Sequence, residues 1–437
     1  MGAVQGQLDG KVVAWAEGVA GAAITHVRPI PGGASRQSYI LTFAKPSAIG
    51  GTAFLRSDHG GGPMSDTIFT LQREARLLEG LAGTAVRVAH IHAASAELDA
   101  ILMECVAGSS DYGSLTDPAA RRQIERELID QLATLHGLDV DVGAAFGGHV
   151  AGTIGDVLRD DLATWRGMLE QQVPDPDPLI LFALDWLERH APGGDRRPVI
   201  IHGDIGPGNF MFDQSGITAL IDWEIAHPGH PLEDVACIIA RTLGVPFGTP
   251  ESLIADYAAA SGMAVDRSEL RYCLILVLAR FSIGIAIAMA RGGTTLDVPI
   301  LVKFRQVNLH ALVSLLMEAE GLSHKGEPEE IAQDDELAML YDFAIGVLGS
   351  GAEGTDDAFT AHRMRGAADL LRYLRDRALV PPTGFATDLP ADFAAWIAAA
   401  DDNARRDMLA RLFGISEQKH RLMRDALGPM FDRRLEI

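Results

Sequence analysis

At roughly 150 residues per domain, a chain of 437 residues has room for two to three domains. Its composition, 48% hydrophobic and 22% charged, suits a globular protein with a large core and excludes disorder, collagen and a disulfide-stapled miniprotein. The net charge of −22, from 37 Lys+Arg against 59 Asp+Glu, argues against a nucleic-acid partner, whose binder carries a basic face. A cationic substrate is allowed by this charge but not required. Cys105, Cys237 and Cys273 form neither a disulfide framework nor a metal-ligand spacing, so a reduced, cytoplasmic setting is expected. The first residues lack a basic stretch leading into an apolar core, so no signal peptide is read. The longest apolar run, Leu274 to Met289, is shorter than the ~20 residues a bilayer needs and contains Arg280. A buried helix and no membrane partner are expected.

In chain order, Ile24 to Ile30 reads as a strand, Pro31-Gly32-Gly33 as a turn and Tyr39 to Phe43 as a second strand. Thr52 to Arg56 reads as a third. A glycine-rich loop, His59 to Pro63, follows. Asp66 to Leu81 reads as a helix with apolar residues at Ile68, Leu71, Ala75, Leu78 and Leu81. Ile101 to Val106 is a further apolar run. The text is helical from about Asp117, most periodic over Ile124 to His136, and is interrupted by strand candidates at Pro198 to Ile201 and Ile217 to Asp222. Helical text resumes from Leu232 to about Glu320. A Gly, Glu and Pro-rich stretch, Gly321 to Glu330, marks a linker. Beyond it lie amphipathic helices such as Glu336 to Leu348 and His362 to Leu379. The charge shifts as well: residues 361–437 hold 13 Lys+Arg and 11 Asp+Glu, a net of +2, which leaves −24 for the remainder.

The chemistry concentrates in VIIHGDIGPGNFMFDQSGITALIDWE, residues 199–224. An apolar strand runs into His202-Gly203-Asp204, Asn209 follows five positions after Asp204, and a second apolar strand ends at Asp222. Any one of these alone is a common turn residue. As an ordered set they supply what phosphoryl transfer needs. One carboxylate orients the attacking hydroxyl, while a second carboxylate and a neutral oxygen hold Mg²⁺ on nucleotide phosphates. Asp204 to Asn209 keeps the Asp-x-x-x-x-Asn spacing of the protein kinase catalytic loop.

The strings HGDIGPGNF and LIDWE resemble the aminoglycoside phosphotransferase superfamily, and within it the branch that includes kinase-like domains attached to acyl-CoA dehydrogenases. The resemblance spans residues 10–320. It implies an α+β, bilobal, protein-kinase-like fold with an antiparallel-sheet N-lobe (1–108) and a mainly helical C-lobe (109–325). Residues 331–437 fall outside it and are similar to an additional small all-helical domain of unknown function that accompanies such kinases. The resemblance also implies Asp204 as the catalytic aspartate, Asn209 and Asp222 as Mg²⁺ ligands, His202 as a brace of the loop, and Glu224 as a residue facing substrate. Gly229, Pro231 and Asp234 match the loop after the metal aspartate, with Asp234 read as the cap of the helix that starts there. His227 and His230 read as loop residues, and His136 as a helix C-terminal histidine.

Pro31 to Ser35 lies between two strand candidates. There the backbone of Gly32, Gly33 and Ser35 can cradle phosphates or form a plain hairpin turn. Glu74 sits on the apolar stripe of its helix, three after Leu71 and four before Leu78, and an inward carboxylate needs a partner. In kinases such a glutamate holds a strand lysine against the phosphates. Here Arg56 stands in that place, as it does in the branch named above, and a guanidinium binds phosphate in bidentate fashion. By resemblance, LMECVAG (102–108) is the hinge, with the backbone from Glu104 to Val106 meeting the base.

The expected activity is therefore a Mg²⁺-dependent transfer of the γ-phosphate of ATP or GTP to a hydroxyl of a small molecule. An aminoglycoside or macrolide kinase and a non-catalytic pseudokinase platform are the alternatives. The C-terminal helices, with Arg363, Arg365, Arg372 and Arg375, read as solvated faces or as a docking surface for a partner.

Overall fold

The structure, a computed structural model, describes residues 8–30, 36–47, 49–58, 60, 64–65, 67–139, 142–148, 152–193, 196–292, 297–323, 335–378, 389–435 and 437. The turn at Pro31-Gly32-Gly33, the phosphate-loop residues Gly32, Gly33 and Ser35, most of the His59–Pro63 loop and most of the 321–330 linker lie outside them. The chain divides into two compact units, one of residues 1–161 and 192–273, the other of 162–191 and 274–437. This division by contacts is a different cut from the segments 1–108, 109–325 and 331–437.

The first unit opens with α1 (Gly10–Ala20), then β1 (Ile24–Ile30), β2 (Gln37–Ser47) and β3 (Gly50–Ser57). Next come α2 (Leu71–Leu81), β4 (Ile91–Ser95) and β5 (Ala100–Glu104). The strands form one antiparallel sheet in the order β1-β2-β3-β5-β4. Side chains alternate across a sheet, and that alternation sorts this one. Tyr39, Leu41, Phe43, Ala53, Leu55 and Leu102 bury one face with Val12, Ala16 and Ala20 of α1. Residues one step out of phase, Ser38, Ile40, Phe54, Arg56 and Met103, line a cavity on the other face.

α2 begins at Leu71, five residues later than the periodicity suggests. The Thr70 side chain accepts from the N–H of Arg73 and so caps the helix there. Ile68, counted on the apolar stripe, is 56% exposed. The rest of the unit comprises α3 (Pro118–His136), the short α4 (Val142–Ala145), part of α5 (Ile154–Gln172), β6 (Val199–Ile201), β7 (Phe210–Asp213), β8 (Gly216–Leu220), β9 (His227–Gly229), α7 (Leu232–Arg241), α8 (Pro250–Ser261) and the start of α9 (Arg267–Arg291). The two strands around the motif do not pair with each other. β6 pairs with β9, and β8 pairs with β7.

The second unit is helical. It holds the rest of α5 and α9, α6 (Pro178–Arg189), α10 (Val298–Ala319), α11 (Asp335–Glu353), α12 (Ala358–Ala378), α13 (Phe393–Ala399), α14 (Asp402–Leu422) and α15 (Arg424–Leu427). α9 and α10 are long and apolar enough to cross a membrane, but 67% and 56% of their apolar windows are buried within the protein, as in core helices. Arg280 is buried with them.

Candidate active site

A cavity of about 790 Å³ opens between the sheet and the catalytic loop of the first unit, within the size range of small-molecule and cofactor sites. Asp204, Asn209, Asp222, Glu224, Arg36, Arg56, Glu74, Glu104 and Val106 all line it.

On the sheet side, Arg56 stands on β3 opposite Ser38 of β2. Its guanidinium meets Glu74 Oε1 at 2.6 Å, Glu224 Oε2 at 2.9 Å and Asp222 Oδ1 at 3.0 Å. Glu74 is 3% exposed, and a buried carboxylate persists only when it is paired. Burial works against the Arg56 charge, but these three carboxylates more than offset it and hold the guanidinium above its ordinary range. A second cation, Arg36, shares the same anions. Its Nη1 lies 3.3 Å from Glu74 Oε2 and 3.5 Å from Glu224 Oε2, and its Nη2 donates to the carbonyl of Phe69. The two arginines thus grip both oxygens of one glutamate. Arg36 was not singled out from the sequence, although the period-2 pattern through Ser38 and Ile40 puts it on the cavity face. Glu224, expected to face substrate, lines the cavity and joins the two arginines.

On the loop side, β6 delivers His202 and Gly203. Their backbone N–H groups both donate to Asp234, at 2.9 Å each. Asp234 therefore anchors the loop rather than capping its own helix; the start of α7 has no side-chain cap. His136 Nε2 lies 3.1 Å from Asp234 Oδ2 and its Nδ1 2.8 Å from the Tyr257 hydroxyl, so the residue read as a helix end braces the anchor. Burial would raise the Asp234 carboxyl, but the bonds from His136 and Gly203 and the nearby His202 outweigh it and hold the carboxyl below its usual range. His202 is fully buried, and burial pushes its imidazole down. Its Nε2 donates to the Ile221 carbonyl at 3.0 Å, which leaves Nδ1 to accept from the Asp204 N–H at 3.4 Å. Gly203 has φ 86°, and an added Cβ would meet the Ile225 carbonyl at 2.8 Å, so only glycine fits between His202 and Asp204.

Asn209 Nδ2 donates to the Asp204 carbonyl at 2.6 Å and to Asp204 Oδ2 at 2.7 Å. The other oxygen, Oδ1, pairs with Arg241. Asp222 lies just past β8 with φ 67°, a left-handed conformation that costs a non-glycine residue about 1–2 kcal/mol and is typical of functional sites. Its Oδ1 is the oxygen that faces Arg56. The Asp222 carboxylate, together with Asn209 Oδ1 on the amide whose nitrogen is engaged by Asp204, makes an all-oxygen pair suited to a hard cation. Mg²⁺ accepts one or two protein ligands and completes its shell with phosphate and water oxygens. Among the described residues no group of three or more His, Cys, Asp or Glu is placed to hold a metal ion.

Of the stretch expected to be the hinge, the Glu104 N–H is taken by the His90 carbonyl at 2.8 Å, and Val106 lies beyond the end of β5. His227 and His230 are buried beside Glu233: His227 Nε2 lies 3.1 Å from Glu233 Oε2, and the His230 backbone N–H donates to Glu233 Oε1 at 2.5 Å. His227, read as a loop residue, opens β9 opposite Ile201, while His230 follows the strand; neither lines the cavity.

An antiparallel sheet facing a helical lobe, with an Asp-x-x-x-x-Asn loop and a second aspartate on the next hairpin, defines a kinase-like phosphotransferase. The chain belongs to the phosphotransferase enzyme family, whose model matches residues 26–273. Over 121 residues it is 31% identical to acyl-CoA dehydrogenase family member 11 of Rattus norvegicus and 28% identical to that of Homo sapiens. The match covers 27% of this chain and spans only 15% of the length of those relatives. A solved structure of a candidate aminoglycoside phosphotransferase from Ralstonia eutropha superposes with TM-score 0.54 at 20% identity, covering 72% of this chain and 98% of that one. An ethanolamine kinase of Plasmodium vivax superposes with TM-score 0.50 at 14% identity, covering 66% and 81%.

Proposed function

We propose that this protein transfers the γ-phosphate of a purine nucleoside triphosphate, ATP or GTP, to a hydroxyl group of a small molecule, with Mg²⁺ as its metal. The observation that carries this reading is the convergence of Asp204, Asn209 and Asp222 on one cavity that also holds Arg56, clamped by Glu74. In this reading residues 1–108 hold the nucleotide, 109–325 carry the catalytic loop and acceptor site, and 331–437 form an accessory helical segment open to a docking partner. The setting is the cytoplasm.

Each residue has a defined task. Arg56, kept charged and oriented by Glu74, neutralises phosphate oxygens with its planar fork. Asn209 and Asp222 hold the divalent ion, which supplies charge neutralisation on the phosphates when bound. Asp204 accepts a hydrogen bond from the acceptor hydroxyl and takes its proton as the oxygen–phosphorus bond forms. The bond from the γ-phosphorus to the bridging oxygen breaks, and the nucleoside diphosphate leaves. His202, Gly203 and Asp234 keep Asp204 in place through the backbone.

The test is direct. Incubating the protein with a metabolite pool and γ-labelled ATP or GTP, then identifying the labelled product by mass, should yield one phosphorylated hydroxyl compound with wild type and none with Asp204→Ala. Equal label in both would end the reading.

A further inference from the structure

We propose that Arg241 is the positioning residue of the transfer centre. It fixes one oxygen of Asp204, so that the other oxygen is the one presented to the acceptor hydroxyl. This rests on the phosphotransferase reading above and adds to it a residue 37 positions beyond the catalytic aspartate.

Arg241 is the last residue of α7. An arginine in that place ordinarily compensates the exposed carbonyls of its own helix. Here its Nη1 pairs with Asp204 Oδ1 and its Nη2 donates to the Pro207 carbonyl at 2.9 Å. Both contacts go to the catalytic loop. The anchor is rigid, because α7 is buried from Leu232 through Ala240. Its side chain, 25% exposed, therefore reaches the loop from a fixed base at little cost in freedom.

The loop is shaped to admit it. Gly206 has φ 148°, and a Cβ there would lie 2.7 Å from Arg241 Cδ and 3.0 Å from its Nε. Any side chain at 206 would occupy the path of Arg241 to Asp204. The glycine in the motif and the arginine on a distant helix thus explain each other.

The two oxygens of Asp204 end up unequal. Oδ1 is held by a guanidinium, a charge-assisted bond about twice as strong as a neutral one. Oδ2 is held by the neutral amide of Asn209. The weaker contact yields first, so Oδ2 accepts the acceptor hydroxyl and its proton. The fork across Asp204 and Pro207 also sets the height of the carboxylate above the loop, and misplacement of a reacting group by ~1 Å costs about 10²-fold in rate.

The experiment follows kcat for hydrolysis of Mg·ATP, with water as acceptor, and Mg·ATP affinity by titration calorimetry. Arg241→Gln should lower kcat about 10²-fold and leave Mg·ATP affinity within about threefold, since Arg241 is not among the groups that hold phosphate or metal. Arg241→Lys should restore only part of the rate, because one ammonium cannot bond Asp204 and Pro207 as a planar fork does. Gly206→Ala should reproduce Arg241→Gln. The proposal is overturned if Arg241→Gln keeps the wild-type kcat, or if rate, nucleotide affinity and Tm fall together, the pattern of a purely structural arginine. If Asp204→Ala hydrolyses Mg·ATP as fast as wild type, the phosphotransferase reading itself fails; if Asp204→Ala is slow and Arg241→Gln is not, only the present inference does.

Discussion

The two compact units bury polar side chains in opposite ways. Among the described residues, the first unit buries charge: Arg36, Arg56, Glu74, Glu125, Glu233 and Asp234 are each under 9% exposed. The second unit, Arg280 apart, buries neutral groups: Gln306, Asn308, His310, Ser416 and His420. Removing charge from water costs several kcal/mol per ion before pairing offsets it, and apolar replacements of a buried pair are often as stable or more so. Three of these charges, Arg36, Arg56 and Glu74, line the cavity of the first unit, where such groups mark a candidate functional site. The neutral groups of the second unit serve packing. His310 and His420 stack with centroids 4.1 Å apart, and His420 stacks in turn on Phe431.

Four changes would break or sharpen this contrast. The largest is Asp204→Asn, which should cut phosphoryl transfer roughly 10²–10⁴-fold while leaving Tm nearly unchanged, since the side chain is 26% exposed. A rate near wild type would remove the first unit's claim to chemistry. Next is Glu74→Ala, which removes the carboxylate shared by Arg56 and Arg36 and leaves them Asp222 and Glu224. Breaking a buried pair costs up to about 3–5 kcal/mol, the remaining carboxylates lower that cost, and chemical denaturation should register the loss; one under about 1 kcal/mol would mean the charges are not held as described.

The third change tests the neutral region through pH. Burial, with the charges of His420, Arg434 and Arg421 adding to it, lowers the His310 imidazole to about 3. The unfolded imidazole titrates near 6.5. Between those values the unfolded chain binds a proton that the folded chain refuses. Stability therefore falls as pH drops below ~6.5, by up to about 1.4 kcal/mol per unit for this one group. His310→Gln should flatten that slope. An unchanged slope would show that His310 is not the group responsible. The smallest effect is Thr70→Ala, which removes the cap of α2 at a cost of about 1 kcal/mol, read as a small fall in Tm. A larger loss, with impaired nucleotide binding, would tie the start of α2 to the site.

Much of the site was legible because its oxygens sit in 26 consecutive residues, each set off by an apolar strand. The partnership of Arg56 with Glu74 was legible too, since a carboxylate on an apolar stripe must find a cation. Arg36 and Arg241 were not read. Arg36 hides at the edge of a strand, and Arg241 ends a helix so thoroughly buried that no polar face marks it. Its partner, Asp204, is close in space but remote in sequence. The pairing of β6 with β9 and of β7 with β8 was also missed, because three- and four-residue strands carry almost no periodic signal. α1 drew no attention, although it covers the sheet. The early start expected for α2 failed because apolar spacing alone does not locate an N-terminus, whereas the Thr70 hydroxyl does.

The central claim, that Asp222 and Asn209 hold a divalent cation against nucleotide phosphates, is most directly tested by titrating ATP into wild type and Asp222→Asn with and without Mg²⁺. Affinity should depend strongly on Mg²⁺ in the wild type and lose that dependence in the variant. Equal Mg²⁺ dependence in both proteins would contradict the account.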